Sequence, residues 1–394
     1  MPVNYFQVEN ALDDFSKKAK ELNSTLEATE TELRRQLNAA ASHTTEIRER
    51  ITQAEKLLRT LYCAKPTHEE ILSVHDLPPA PENYTLAAAD GSQIAPNRHR
   101  PLMFCVINVG LIKVRRGSGL EPEIEIHSSL LDHELLFGSD GRVIGEDTVA
   151  LHRDAAERQA LLDFTGTDTG PVFTLTDGPL DVYQGVRGIE ERHELLSRLN
   201  EIYTAMAARG VVNAGYIDKP GSELLSRMLA LLQVPPAELS MWSDQRRTLR
   251  GISDARLLTQ LLQQPGQRSA IFEAVARNEL NKEPRPAVHF FYLNVSQEQP
   301  YLARVEFPAW VSGQPQLVDW LQAVVYQEAQ VLDRHPYPYL LHRAHELAVI
   351  SFEEHEHVEA MLMQHLTQAG VPNGMPSNKD TTKAFSKRRS ETWK

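Results

Sequence analysis

Apolar positions recur every seven residues from the start of the chain: Leu12, Ala19, Leu26, Leu33, Ala40, Ile47, Ala54 and Leu61. A flanking seam starts at Phe15 and Leu22 and moves to Leu37, Ile51 and Leu58. No Pro or Gly interrupts residues 8–62, and Glu, Lys, Arg, Gln and Thr fill the other faces. This spacing predicts one long helix or a helical hairpin of coiled-coil type, diluted in its middle by Thr29, Gln36 and Thr44. Continuous, it would run about 80 Å. A helix with one narrow apolar stripe needs a partner, which is its own chain, its own following domain or a second subunit.

The Pro-rich stretch "LPPAPENY" (77–84) cannot continue a helix, and it separates a helical region, 1–76, from the remainder of the chain. Beyond it the period shortens to two. "YTLAAADGS", "PLMFCVINVGLIKVRR" and "EPEIEIHSSLL" read as strands, the first two forming a hairpin through "QIAPNRHRP". Helical spacing returns in "DTVALHRDAAERQALLDF" (147–164), followed by a short strand in "GPVFTLTDGPL" (170–180). Further on, "IEERHELLSRLNEIYTAMAARG" reads as a helix closed by Gly210, "VVNAGYI" as a strand and "SELLSRMLALL" as a helix. "AVHFFYLNV" and "YLARVEFPAWV" form a late strand pair, and two apolar-periodic stretches after residue 315 are helices. The pattern predicts a mixed α/β domain over 77–370. The tail, 371–394, is basic and polar, with the composition of a disordered segment.

Composition narrows the picture. Hydrophobic residues make up 41% and charged residues 24%, and no stretch is apolar enough to span a membrane. The N-terminus lacks the charge and apolar pattern of a secretory signal, and two cysteines are too few for a disulfide framework. A cytoplasmic protein with no membrane association is expected. The net charge of −12 excludes a bulk polyanion coat but not an enzyme with a local basic footprint. No Gly-rich phosphate loop is present, because "GSGLEP" lacks the Lys-Ser/Thr ending, so the chain has no visible means of using ATP itself.

Candidate chemistry sits at strand ends. Asp90-Gly91 and Asp177-Gly178 each follow an apolar strand. Asp-Gly is also the commonest hairpin turn, so each step alone reads first as a turn, and only the two together, each behind an apolar strand, bring the site reading level with it. If the strands are neighbours, the two carboxylates converge and repel unless a cation separates them, and hard oxygen ligands suit Mg²⁺ or Mn²⁺. Glu157 is a third carboxylate on the preceding helix, with Asp154 three residues away on the same face; alone, it would read as solvated surface. In "HPYPYLLHRAHELA" (335–348), His342 and His345 share a helix face. A zinc-protease reading fails there because position 349 is Val.

Taken in order, "AAADGSQI", the helix Glu, "LTDGPL", "GYIDKPGSELLSRML", "HFFYLNVSQEQPYLARVEFPAWV" and "PYPYLLHRAHELAVIS" resemble the NurA-domain nuclease family over about residues 84–366. The resemblance implies an RNase H-like mixed-sheet core with flanking helices, behind the N-terminal helix or hairpin. It implies a Mn²⁺- or Mg²⁺-dependent DNA nuclease with two ions per site. It also implies a homodimer docked on a HerA-type hexameric DNA-translocating ATPase in DNA end processing. The activity expected is 5′–3′ exonuclease, single-strand endonuclease, or both, in repair or defence. Carried over residue by residue, Asp90 and Asp177 match the metal-binding aspartates and Glu157 the helix carboxylate. Tyr337 and His345 match a late aromatic and histidine, with Tyr339 competing for the place of Tyr337.

Metal-assisted hydrolysis fits these side chains. Two metals about 3.5–4 Å apart, bridged by Asp90 and completed by Asp177 and Glu157, would activate water and neutralise the scissile phosphate. His345 would bind the second metal or pass a proton to the leaving group, and Tyr337 would fix a phosphate or the water. Arg98, Lys219 and Arg304 are candidates for holding the DNA backbone, with ordinary surface or ion-pair roles as the alternative. The competing function is an inert coiled-coil adaptor with an RNase H-like fold that binds a motor ATPase.

Overall fold

The alternating stretch after Pro81 folds into three long antiparallel strands, β3 (Tyr84–Ile94), β4 (Cys105–Arg116) and β5 (Glu123–Leu131). The remaining strands are β1 (Thr60–Pro66), β2 (Val74–His75), β6 (Val172–Asp177), β7 (Val211–Ile217), β8 (Arg268–Ser269), β9 (Phe272–Asn278), β10 (Val288–Asn294) and β11 (Leu302–Pro308). The α-helices are α1 (Tyr5–Ala40), α2 (Thr44–Leu57), α3 (Glu146–Phe164), α4 (Glu190–Ala208), α5 (Leu224–Leu232), α6 (Asp254–Leu258), α7 (Ala309–Ser312), α8 (Pro315–Ala329), α9 (Tyr339–Ala348) and α10 (Phe352–Gln368). This computed structural model describes residues 3–97, 102–132, 134–137, 141–180, 190–244, 247–278 and 286–371. Arg98 and the tail beyond 371 lie outside them.

Two compact units divide the chain: Met1–Glu82, Asp177–Tyr183 and Gly210–Tyr339 form the first, and Asn83–Thr176, Gln184–Arg209 and Leu340–Lys394 the second. In the second unit the strand order is β6-β3-β4-β5. An antiparallel meander is followed by α3, which returns the chain to lay β6 parallel to β3, from Thr85 opposite Val172 to Ala89 opposite Thr176. This is the expected RNase H-like arrangement. Helix α3 buries Leu151, Ala155, Leu161 and Leu162, while β5, at the end of that order, is exposed over most of its length.

In the first unit the order is β1-β9-β10-β11-β7, antiparallel throughout, with β8 bridging β10 to β2. Its apolar core gathers Phe272, Phe290 and Tyr292 from the sheet, Leu224, Met228 and Leu231 from α5, and Leu33, Leu37, Ile47, Ile51 and Ala54 from α1 and α2. The heptad seam therefore has two fates. From Leu33 onward it packs against its own unit, whereas Leu12, Phe15 and Leu22 are 55%, 63% and 57% exposed.

Three local expectations change. The helical run ends at Leu57 rather than near 62, because Leu61 and Cys63 serve as buried strand positions paired to β9. The last helical stretch is two helices: Ser351 accepts from Glu354 N–H while the Glu354 carboxylate accepts from Ser351 N–H, a capping box that restarts the helix. Asp90 neither closes β3 nor turns a hairpin, since β3 continues through Gly91 to Ile94 with β4 paired along its whole length. Asp177 does end its strand, and Gly178 follows with φ 87°.

Candidate active site

Successive side chains of a strand point to opposite faces, so Asp90 and Gly91 look in opposite directions across β3. Asp90 faces α9. With its carboxylate ionised, His345 donates from Nδ1 to Asp90 Oδ2 at 2.6 Å, and the Gly91 N–H donates to Asp90 Oδ1 at 2.9 Å. The imidazole is 63% exposed and the Asp90 side chain 19%, so the pair sits at a surface with the carboxylate inward and the ring outward.

Gly91 faces α3. A Cβ added there would lie 2.6 Å from Glu157 Oε1 and 2.6 Å from Arg153 Cγ, so only glycine lets the helix come this close. Glu157 is 4% exposed. Its nearest cations are Arg153 Nε at 3.5 Å and Arg158 Nη1 at 3.8 Å. Burial pushes its carboxyl well above the usual carboxylate range, with the charges of Asp154 and Asp90 adding to the rise and Arg158 and Arg153 opposing it. Arg158 is itself buried and donates from Nε to Tyr203 Oη on α4 at 2.7 Å.

The other expected residues lie in the first unit. The Gly178 N–H donates to the Tyr216 carbonyl at 2.8 Å, and Leu180 N–H to Glu306 Oε2 at 2.8 Å, fixing the chain just after Asp177. Tyr337 meets Tyr216 edge-to-face, with ring centroids 5.5 Å apart. Tyr339 is half-buried at the start of α9. Lys219 is exposed in a left-handed turn with φ 46°. Arg304 is 6% exposed, paired to Glu306 at 2.7 Å and donating to Ser222 Oγ at 2.7 Å, so its guanidinium is committed inside the core.

The structure thus joins Asp90 to His345 and brings Glu157 to the same strand from the other face. By donor type, carboxylates and an imidazole suit a divalent cation, with Asp90 and His345 on one face of β3 and Glu157 on the other, and a positive ion beside Glu157 would favour an ionisation that burial opposes. Among the described residues, no three His, Cys, Asp or Glu side chains are gathered into a metal-holding cluster. Arg153 and Arg158 are not evident from the sequence, where "HRDAAERQ" looks like an ordinary charged helix face. Gly110, in the middle of the β-branched run "INVGLIKV", is a signal the sequence reading missed, although a glycine inside a strand marks close backbone approach.

Comparison with known proteins gives a family and a fold. The NurA domain matches residues 84–350. The NurA nuclease of Sulfolobus solfataricus superposes with a TM-score of 0.52 at 12% identity, covering 92% of this chain and 98% of that one. Marinitoga piezophila Argonaute in complex with 5′ OH guide RNA and target DNA aligns at a TM-score of 0.28 and 9% identity, over 68% of this chain and 30% of its own. LC9-RNase H1 aligns at 0.21 and 15%, over 36% and 67%. No curated protein matches the chain. No helix among the described residues is long and apolar enough to cross a membrane.

Proposed function

This chain belongs to the NurA domain family, which supports a nuclease function, and from that premise we propose that it is a divalent-metal-dependent DNA nuclease. The observation that carries the proposal is the contact of His345 with Asp90, made on the strand whose other face receives the buried Glu157. Asp90, Glu157 and His345 are the residues that would hold Mn²⁺ or Mg²⁺, with Asp177 the further carboxylate expected from the sequence. Two such ions, when bound, would supply a water of lowered pKa and neutralise charge on the scissile phosphate.

The chain's own groups do the rest. His345 and the Gly91 amide fix both oxygens of Asp90, so the carboxylate is oriented before any ligand arrives. His345 would either hold an ion or, with its ring mostly exposed and unligated, pass a proton to a departing sugar oxygen. Arg153 and Arg158 offset the charge on Glu157 once it ionises. Exposed Lys219 suits a phosphate contact, which would make binding salt-dependent and indifferent to sequence. Exonucleolytic 5′–3′ digestion or single-strand endonuclease action belongs to the same proposal. So do a homodimer and a HerA-type hexameric ATPase as partners in DNA end processing, supported by the exposed apolar stripe of α1.

The test is Mn²⁺- or Mg²⁺-dependent cleavage of linear DNA, with and without such an ATPase. Asp90→Ala is expected to abolish cleavage while leaving the unfolding transition in place. Full activity in that variant would overturn the site. The apolar stripe of α1, exposed at Leu12, Phe15 and Leu22, favours a second reading, the inert adaptor. That reading expects no cleavage with any divalent metal but retained ATPase binding.

A further inference from the structure

Holding a ring that is 63% exposed against Asp90 takes more than packing on the ring itself. The position of His345 depends on the backbone of α9, and the last turn of that helix is seated on the sheet in an unusual way. Ala348, its final residue, is fully buried, and its carbonyl is one of those a helix end leaves without a partner. Two strands supply donors to it. Asn108 Nδ2 on β4 donates at 2.9 Å, and Ser92 Oγ on β3 donates to the same oxygen. Asn108 is held in turn, because its Oδ1 accepts from Ser128 Oγ on β5 at 2.7 Å.

The register explains why these groups meet. Ser92 pairs with Asn108 and Asn108 with Ser128, so the three form one row across β3, β4 and β5 on a single face. The next row on that face is Asp90 opposite Gly110. At Gly110 a Cβ would lie 2.6 Å from Ala344 O, 2.6 Å from Ala348 N and 2.7 Å from Leu347 Cβ. The glycine therefore sets the height of α9 above the sheet, and the polar row sets its position along the strands.

We propose that Ser92, Asn108 and Gly110, with Ser128 behind Asn108, are positioning residues that hold the last turn of α9 where His345 Nδ1 meets Asp90. None of them touches the reacting groups. Their effect on cleavage rests on the nuclease reading above, whereas their effect on His345 does not.

The test is ¹⁵N-histidine NMR of the full chain, with the His345 signals assigned through His345→Gln, alongside steady-state cleavage of linear DNA. In the wild type, neutral His345 is expected as the Nδ1–H tautomer. Asn108→Ala and Ser92→Ala are expected to shift it to Nε2–H and to lower kcat about tenfold or more with KM for DNA nearly unchanged, as displaced catalytic groups do. Ser92→Thr, which keeps the hydroxyl, is expected to restore both. Ser128→Ala changes only an exposed strand and keeps the test usable if Asn108→Ala does not fold; a smaller shift in the same direction is expected. An unchanged tautomer in folded variants overturns the proposal, whatever the cleavage rate. A shifted tautomer in a protein that cleaves no DNA supports the positioning role and overturns the nuclease reading instead.

Discussion

At residue 91 one methyl group separates two arrangements of the site. Gly91→Ala puts a carbon into the space that Glu157 Oε1 and Arg153 Cγ now occupy, so α3 or its side chains must retreat. Urea unfolding should show a loss of about 1–3 kcal/mol, the usual cost of overpacking, together with a clear fall in cleavage. Glu157→Gln should behave in the opposite way for stability. It removes a carboxyl whose ionisation burial opposes, so the unfolding midpoint should hold or rise while cleavage is lost. Elsewhere, Glu69 gives a separate pH signature. Burial raises its carboxyl, but hydrogen bonds from His75 and Arg268 and the Arg268 charge prevail and hold it at about 2, against an ordinary 4.5. A depressed carboxylate stabilises the fold fully above its unfolded pKa and loses that contribution as pH falls. The wild type should therefore exceed Glu69→Gln by about 1–3 kcal/mol at pH 7, a gap that closes between roughly pH 4.5 and pH 2. Chemical denaturation of both proteins across that range measures it.

At the scale of elements, α1 contains two helices in one. Leu33 and Leu37 are buried in the core of the first unit, whereas Leu12, Phe15 and Leu22 face outward. Leu33→Ala should cost about 2–4 kcal/mol in an unfolding titration. Removal of residues 1–24 should leave the midpoint almost unchanged. The heptad is legible because its period is long and unbroken, but period alone does not say which partner covers the stripe. Strands β1 and β9 are not legible at all. β1 begins where the heptad still has a member, at Leu61, and the pairing that decides the matter comes from Ala276, Val275 and Ala274, more than 200 residues further along. Non-local pairing overrides local period there. The β3–β4 hairpin, the α3 helix and the late β10–β11 pair are readable because each satisfies its pattern within a short span.

For the whole molecule, residue types and their order carry most of the reading, and side-chain placement carries the remainder. Asp90, Glu157 and His345 stand out in the sequence, yet alternation along β3 sends Glu157 to the face opposite Asp90. A strand that stops at Asp90 has no such second face beside it, so the division shows only once β3 is seen to run on. Arg304 has the residue type for a DNA contact and is instead committed to Glu306. A net charge of −12 on a proposed DNA enzyme means that attraction to phosphate must come from local groups, so affinity for DNA should fall steeply as salt rises. The proposed homodimer is tested at the same scale. Replacing Leu12, Phe15 and Leu22 together by Ser should lower the sedimentation mass to one chain if the exposed stripe of α1 joins two copies; an unchanged mass assigns the stripe to another partner.

The Gly91 amide, whose hydrogen is taken up by the neighbouring aspartate side chain, makes the protein its own indicator. Amide exchange at this one position reads where that carboxylate is. When a cation competes for that oxygen with the carboxylate still in place, the hydrogen bond weakens and exchange should quicken; Asp90→Ala should fix it at the fast limit. Deuterium uptake of the peptide spanning β3, followed with and without Mn²⁺, would thus report engagement of the site in a sample where no DNA is cut.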